Sequence, residues 1–263
     1  MNHHVGQAAL ERALDESEDL VLLYQPIHDA RTRKVYSAEA LLRQRRENGE
    51  LREAKIIHET AEESSGQELF RLDNFLVKKA YTDAGHWQVH APDVRLNVNL
   101  SPREFQEGAV YERLSSLVTS CNVDTSKVNI EITETSYIED PETTMEILRS
   151  LKKLGVCLWL DDFGSGHSAL THLQHFPVNG IKLPGGFIKP LPHDRRCRAI
   201  VAALIKLAHD LDMQVIAEEI EHEEQLEFLL DHGCEYIQGF LFSKPMEKGD
   251  FETMLKEDAA RGN

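Results

Sequence analysis

Short apolar runs along this chain alternate with longer segments whose apolar residues repeat at helical spacing. Runs of this length are typical of buried strands, and the longer periodic segments between them predict helices. Many of the runs also end on a polar or ionisable residue. Eight strands are predicted: Leu20 to Gln25, Ala38 to Leu42, Val94 to Leu100, Val128 to Ile132, Val156 to Asp161, Gly180 to Leu183, Gln214 to Glu218 and Tyr236 to Gln238.

The helices between these strands can be predicted from their ends. Asp140 suits an N-cap, Pro141 the first helical position, and Gly155 the stop after the helix. A second apolar stripe, from 200 to 211, ends just before the next predicted strand. Short helix-to-strand connections are typical of β/α units. We therefore predict an α/β fold, a TIM-type (β/α)₈ barrel that occupies residues 1–263 as a single domain.

The polar residues at the strand ends are candidate functional groups. In a barrel of this kind the carboxyl ends of the strands converge on one face. Asp161 and Asp162 are adjacent carboxylates directly after a strand, and a turn there lets both side chains converge. Carboxylate and amide oxygens suit Mg²⁺ or Mn²⁺ better than zinc, and one carboxylate can bridge two metals. The strand-end residues are Glu39, Asn99, Glu131, Asp161 with Asp162, Lys182, Glu218 and Gln238.

Each of these residues also has a structural alternative. A lone glutamate at a strand end is commonly part of a surface ion pair or a helix cap, and Asn99 alone is a weaker signal still. Lys182 either lies at the rim with its charge in water, or points into the carboxylate cluster and is paired there. The recurrence on strand after strand favours the functional interpretation.

Composition narrows the function further. The chain has 45 acidic and 29 basic residues, a formal charge of −16, which argues against long nucleic acid as a ligand. A small anion is compatible, because a divalent metal reverses the local field. The four cysteines form no C-x-x-C pair and predict reduced thiols. There is no signal-peptide pattern at the start and no apolar run of ~20 residues, so we expect a soluble, cytoplasmic protein without a membrane segment.

Several of these stretches resemble the motifs of a known family. Glu39-Ala40-Leu41 resembles the signature of the EAL-domain cyclic di-GMP phosphodiesterases. The resemblance continues in the same order from about residue 20 to 246, nearly the whole chain. The further matching stretches are Tyr24 to Ile27, Asn97 to Ser101, Glu131 to Glu134, Asp161 to Gly164, Ile181-Lys182, Ala217-Glu218 and Gln238 to Pro245.

The resemblance implies a fold and an activity. The family's fold is a modified (β/α)₈ barrel whose first strand is antiparallel to the others, and its reaction is hydrolysis of cyclic di-GMP to linear pGpG. It also implies two metal ions per site, Mg²⁺ or Mn²⁺, and a homodimer that forms near the loop after the Asp pair. Calcium tolerates looser geometry, so we expect it to inhibit.

Metal ligands follow from the resemblance motif by motif. Glu218 has also been viewed as a general base in the family, and the sequence does not separate that role from metal binding. The implied ligands are Glu39, Asn99, Glu131 and Asp161 for one metal, and Asp161, Asp162 and Glu218 for the second.

The remaining site residues have implied roles in positioning and substrate binding. Lys182 would position or activate the attacking water, and Gln238 would orient water or metal ligands. Glu134 would brace the loop from Asp161 to Ser168. The expected substrate contacts are Arg43, with Gln25 as its neighbour, and Glu39.

The chain departs from the family pattern close to the site. The family usually has Ile-Asp-Arg-Ser-Phe after the active-site lysine, whereas this chain has Leu183 to Phe187 with the sequence Leu-Pro-Gly-Gly-Phe. Glu219 replaces the usual glycine, and His167 stands where tyrosine is common. These changes bear on rate and ligand affinity, but none removes a predicted metal ligand.

Two alternative functions come from other classes. The first is a catalytically silent cyclic di-GMP receptor; such proteins usually lose metal ligands, and this chain retains them all. The second is an HD-type phosphohydrolase, prompted by the pairs His28-Asp29, His193-Asp194 and His209-Asp210, which arise easily by chance among 13 histidines. His86 and His90 have the i, i+4 spacing of a zinc site, but a surface helix also explains them.

Overall fold

The chain folds into an alternating series of strands and helices. A computed structural model describes residues 20–46, 48–53, 67–100, 110–121, 123–133, 141–164 and 173–261. The strands are β1 (Leu20–Asp29), β2 (Val35–Arg45), β3 (Leu51–Glu53), β4 (Arg95–Leu100), β5 (Val128–Thr133), β6 (Cys157–Asp161), β7 (Gly180–Leu183), β8 (Gln214–Ala217), β9 (Tyr236–Gln238) and β10 (Met246–Glu247). The helices are α1 (Gln67–Trp87), α2 (Val110–Cys121), α3 (Pro141–Lys153), α4 (Gly185–Ile188), α5 (Arg195–Asp210), α6 (Glu223–Asp231) and α7 (Lys248–Arg261), with a short 3₁₀ helix at Thr125–Lys127.

Eight of the strands close into a barrel. Their order around the ring is β1, β2, β4, β5, β6, β7, β8 and β9, and β9 pairs back onto β1. Strand β1 is antiparallel to both of its neighbours, while the remaining pairs around the ring are parallel. The predicted barrel with one reversed strand is therefore confirmed.

The strands that the sequence did not predict are short additions outside the ring. Strand β3 pairs with β2, and β10 pairs with β1, in both cases antiparallel. Two or three residues are too few to give a recognisable hydrophobic period. The first two barrel strands are longer than predicted, and Glu218 lies just past the end of β8 rather than within it.

Two helices show how local sequence sets their bounds. Helix α3 begins at Pro141, as predicted, and is followed by Gly155 with φ of 88°, a left-handed conformation that favours glycine. The predicted cap Asp140 lies outside the described residues. Helix α5 begins earlier than its apolar stripe because the Asp194 side chain accepts hydrogen bonds from two backbone amides of the first turn, at 2.7 and 2.8 Å.

The barrel interior has an apolar floor. Side chains alternate along a strand, so every second residue points inward. Ile27, Trp159 and Ile216 are all buried and pack together, and Tyr36 stacks on Tyr236 beside them with ring centroids 3.7 Å apart. On their strands these three residues lie two positions from Gln25, Asp161 and Glu218, on the side away from the strand ends where the polar residues converge. The floor separates the polar residues from solvent on that side.

All four cysteines are free thiols. Among the described helices, none has both the length and the apolar character needed to cross a bilayer.

Candidate functional site

A buried lysine is the centre of the predicted cluster. Lys182 on β7 is 1 % exposed, and its Nζ lies 2.7 Å from Glu218 Oε1, 3.0 Å from Glu131 Oε2, 3.3 Å from Asp161 Oδ1 and 3.4 Å from Glu39 Oε2. These four carboxylates come from β2, β5, β6 and the end of β8. The fold therefore assembles the cluster as predicted, and the alternative of a solvated rim lysine is wrong.

One ammonium does not neutralise four carboxylates, and the pKa values reflect this imbalance. Burial by itself lowers the pKa of Lys182, but the surrounding carboxylates raise it well above its usual range. Burial and the nearby Glu39 charge raise the pKa of Glu131 well above its usual range. Burial raises the pKa of Glu218 to about 7, with Lys182 opposing this shift and Asp161 adding to it. The cluster has an excess of negative charge that further cations would relieve.

Glu39 is held by hydrogen bonds on both carboxylate oxygens. Asn99 Nδ2 donates to Oε1 at 2.9 Å, and Gln238 Nε2 donates to Oε2 at 2.8 Å. Burial favours the neutral acid, but Lys182 and the two amides together lower the pKa of Glu39. Gln238 Oε1 is buried and has no hydrogen-bond partner in the described part of the chain. This oxygen is therefore available to a ligand in the site.

The adjacent aspartates converge, as the sequence predicted. Asp161 ends β6, and Asp162 adopts φ of 53°, a left-handed conformation that turns the chain immediately after the strand. One carboxylate oxygen from each of Asp161, Asp162 and Glu218 lies within 4.8 Å of the other two. Burial and the Asp161 charge raise the pKa of Asp162. Oxygen donors at these spacings fit a hard divalent cation such as Mg²⁺, Mn²⁺ or Ca²⁺.

A cleft of about 260 Å³ opens beside this cluster. Arg43 lies in its wall, where its guanidinium donates to the Leu42 carbonyl oxygen at 2.8 Å. The Phe240 ring is 56 % exposed, with Lys244 Nζ 5.5 Å from its centroid. The lining residues are Gln25, Glu39, Arg43, Glu218, Glu219, Glu221, Gln238, Gly239, Phe240 and Pro245.

Some lining residues were not predicted as site residues. Phe240 and Glu221 had no place in the sequence-based site, although each follows a predicted site residue closely in the chain. The sequence offered only an aromatic residue two positions after Gln238, because the exposure of its ring beside a polar cleft is visible only in the structure. Two other predicted features, Glu134 and the loop residues 165–168 with His167, lie outside the described residues.

The histidine pairs are accounted for by structure. His28 lies on β1 rather than in a loop or helix as expected, and its Nδ1 hydrogen-bonds the Arg33 carbonyl oxygen at 3.0 Å. Asp194 caps α5, and the His209-Asp210 pair ends the same helix. A surface helix that contains both His86 and His90 was expected, but His90 lies beyond the last residue of α1, so only His86 is helical.

Comparison with known proteins identifies the family. The model of the family described as "EAL domain" matches residues 7–245 of this chain. The chain belongs to the EAL domain family. Among curated relatives, it is 29 % identical to the signaling protein YkoW of Bacillus subtilis over 257 residues, which cover 98 % of this chain and 32 % of YkoW. It is 32 % identical to the cyclic di-GMP phosphodiesterase PdeR of Escherichia coli over 248 residues, which cover 94 % of this chain and 37 % of PdeR. The chain thus spans about a third of the length of these EAL relatives.

Solved EAL structures confirm the fold. The PaMucR phosphodiesterase in complex with c-di-GMP matches with a TM-score of 0.87 and 30 % identity, over 94 % of this chain and 99 % of that chain. The manganese and c-di-GMP complex of Klebsiella pneumoniae BlrP1 matches with a TM-score of 0.77 and 27 % identity, over 88 % of this chain and 57 % of the BlrP1 chain. A calcium and c-di-GMP complex of BlrP1 gives the same TM-score and identity, over 89 % of this chain and 57 % of the BlrP1 chain.

Two of the departures from the EAL pattern contact each other. Gly185 begins α4, and a Cβ added there would come within 2.4 Å of Glu219 Cδ and 2.6 Å of both Glu219 carboxylate oxygens. Glu219 adopts φ of 54°, which is unfavourable for any residue except glycine, and its carboxylate pairs with Lys189 Nζ at 2.5 Å. The glutamate side chain thus occupies the space that a side chain at residue 185 requires, and the two departures are coupled.

We expect this contact to appear as a dependence between two substitutions. Gly185→Ala should destabilise the protein only slightly, by about 0.5 kcal/mol, while Glu219 is present, because the new methyl group forces the exposed Glu219 carboxylate to move away from Lys189. In a Glu219→Gly background the same substitution should be neutral or stabilising, since alanine is the better helix former. Urea denaturation of the four variants measures the coupling.

Gly186→Ala is the matched control for this experiment. A Cβ at Gly186 meets no atom within 4 Å, so this substitution should behave alike in both backgrounds. Equal effects of Gly185→Ala with and without Glu219 would show that the two residues are independent.

Proposed function

We propose that this chain hydrolyses cyclic di-GMP to linear 5′-pGpG with the help of two divalent cations, Mg²⁺ or Mn²⁺. The observation that carries the proposal is the buried Lys182, which has four carboxylates within 3.4 Å at one end of the barrel. Membership of the EAL family supports it, as do the relatives named as cyclic di-GMP phosphodiesterases.

The donor chemistry supports a cation site. Asp161, Asp162 and Glu218 present oxygens within 4.8 Å of one another, and Gln238 contributes a buried oxygen without a partner among the described residues. When bound, divalent cations supply positive charge that stabilises the phosphate in an in-line displacement and lowers the pKa of water. We assign Glu39, Asn99, Glu131 and Asp161 to one cation, and Asp161, Asp162 and Glu218 to the other.

The residues of the cluster position the attacking water and take up its proton. We propose that Lys182 positions the attacking water and that Gln238 orients water or the ligands. With a pKa raised to about 7, Glu218 is suited to accept the proton of that water if it does not bind a cation. Water attacks phosphorus, the bond from phosphorus to the 3′-oxygen breaks, and that oxygen takes up a proton. The product then carries one 5′-phosphate and one free 3′-hydroxyl.

The cleft supports recognition of a nucleotide. Arg43 in the wall can contact a ligand phosphate, with Gln25 and Glu39 close by. The exposed Phe240 ring offers a surface on which a guanine base can stack. We propose this face of the cleft as the substrate site. Glu134 keeps its proposed role as a brace for the loop after Asp162.

Product analysis tests the proposed function. The protein is incubated with cyclic di-GMP and Mn²⁺ in ¹⁸O-labelled water, and the products are separated and weighed by mass spectrometry. We expect pGpG with one labelled oxygen on its 5′-phosphate. Recovery of unchanged cyclic di-GMP from a protein that binds it tightly would identify a receptor instead. Calcium as the only metal should give binding without turnover, because it takes more ligands in a looser geometry.

Cation affinity should depend on pH through Glu218. Its pKa of about 7 means that the carboxyl is protonated below this pH, and a cation must displace that proton. Mn²⁺ affinity is therefore expected to fall by up to about tenfold per pH unit as the pH is lowered below 7. Electron paramagnetic resonance of free Mn²⁺ between pH 5.5 and 8.5 measures this, and Glu218→Gln should make the dependence on pH less steep. A wild-type affinity that does not vary with pH would contradict the assignment.

The assembly and location of the protein are also proposed. We propose a cytoplasmic homodimer, in which association near the loop after Asp162 stabilises the cation site. Light scattering and activity measured across a dilution series test this, and a fully active monomer would contradict the coupling. The organisation of residues 1–263 as a single domain also stays a prediction.

A further inference from the structure

A chain of buried amides extends from the floor of the barrel to one of the site carboxylates. Asn97 on β4 and Asn129 on β5 are paired in register and point into the barrel, one step inward from Asn99 and Glu131. Asn129 Nδ2 donates to Asn97 Oδ1 at 2.9 Å, and Asn97 Nδ2 donates to Glu131 Oε1 at 2.6 Å. Asn97, Asn129 and Glu131 are each 0 % exposed.

The direction of this chain is fixed by its donors and acceptors. Asn97 accepts from Asn129 on its oxygen, so its NH₂ group faces Glu131. A flipped Asn97 would place its oxygen against the Glu131 carboxylate and its NH₂ group against that of Asn129. Both of those contacts are repulsive, and with no exposed surface at these side chains solvent does not relieve them.

The two oxygens of Glu131 are thereby given different roles. Oε1 is occupied by Asn97, and Oε2 faces Lys182 at 3.0 Å. Oε2 is the oxygen on the side of Lys182, which the other site carboxylates surround. Binding of a cation through both oxygens would require Oε1 to turn away from Asn97, so this hydrogen bond favours binding through Oε2 alone, whereas a carboxylate without such a bond can offer both oxygens.

We propose that Asn97, held by Asn129, is a positioning residue that keeps Glu131 monodentate and so makes the site select Mg²⁺ or Mn²⁺ over Ca²⁺. Mg²⁺ requires near-ideal octahedral geometry, while Ca²⁺ takes six to eight oxygens and commonly binds carboxylates through both. Outer hydrogen bonds of this kind set the orientation of metal ligands. This inference rests on the proposed cation site.

The test is a pair of affinities rather than an activity. Mn²⁺ binding is measured by electron paramagnetic resonance and Ca²⁺ by competition against it, for the wild type and for Asn97→Leu, which keeps the size but removes the donor. We expect Mn²⁺ affinity to fall about tenfold while Ca²⁺ affinity is kept or rises, so that the Mn²⁺/Ca²⁺ ratio falls at least about tenfold. Asn129→Leu should shift the ratio in the same direction by a smaller factor, because Asn97 is then free to rotate.

Ser37→Ala is the matched control. Ser37 is another fully buried polar residue of the barrel interior, its Oγ has no hydrogen-bond partner among the described residues, and it lies on β2 away from Glu131. Its removal should leave the ratio unchanged.

The possible outcomes separate this inference from the proposed function. An unchanged ratio in folded Asn97→Leu, or an equal loss of both cations, would overturn the inference and make the amides merely structural. If Asn97→Leu does not fold, Asn129→Leu decides by the same ratio. A wild type that binds no divalent cation would instead contradict the proposed function.

Discussion

Lys182→Met is expected to reduce turnover of cyclic di-GMP about 100- to 1,000-fold and to destabilise the cation-free protein by about 3 to 5 kcal/mol. The ammonium is the one positive group in contact with Glu39, Glu131, Asp161 and Glu218 within the described structure, and methionine fills its volume without replacing the charge. Unneutralised carboxylates in a buried site repel one another and lose their hydration.

The two effects of this substitution should separate on addition of Mn²⁺. Bound cations replace the lost charge, so thermal stability should recover, while turnover stays low because the positioned donor is missing. Lys189→Met is the matched control: this lysine is 61 % exposed and pairs with one exposed carboxylate, so its loss should change stability little. Full turnover by Lys182→Met would exclude a part for this lysine in the reaction.

Asp161→Asn is expected to lower turnover about 1,000-fold and to reduce the number of Mn²⁺ ions bound per chain. The amide keeps the shape and can still accept from the Asp162 backbone amide, which now donates to Oδ1 at 3.0 Å, but it removes the charge shared between the proposed cations. The cation-free variant should be as stable as the wild type or more stable, since one source of repulsion is gone.

Isothermal titration with Mn²⁺ and thermal denaturation in EDTA measure these two effects. Asp212→Asn is the control, because Asp212 is an exposed aspartate in a turn outside the site. An Asp161→Asn protein that binds as many Mn²⁺ ions as the wild type would show that Asp161 is not a shared ligand.

The recurrence of polar residues at strand ends was enough to predict both the barrel and the cluster. Parallel strands of a closed barrel end on one face, so Glu39, Glu131, Asp161 and Glu218 had to meet once the strands were placed. The left-handed turn at Asp162 was also predictable in outline, because two adjacent carboxylates converge only if the strand ends between them.

Contacts that depend on register or on loop geometry could not be predicted. The amide chain through Asn97 and Asn129 requires β4 and β5 to pair in one register, which an apolar run does not specify. The contact between Gly185 and Glu219 joins the first residue of α4 to a loop residue 34 positions later, and each residue alone was interpreted only as a departure from the family. Strands β3 and β10 are too short to give a pattern.

Turnover of cyclic di-GMP by the wild type and by Glu39→Ala, measured across a Mn²⁺ titration, tests whether the carboxylate cluster around Lys182 hydrolyses this nucleotide with bound cations. Glu39 accepts from Asn99 and Gln238 and contacts Lys182, so its loss should disrupt the site while leaving the helices and the outer core in place. We expect pGpG formation that requires Mn²⁺ in the wild type and falls at least about 1,000-fold in the folded variant. Turnover in EDTA, or undiminished turnover by Glu39→Ala, would contradict it.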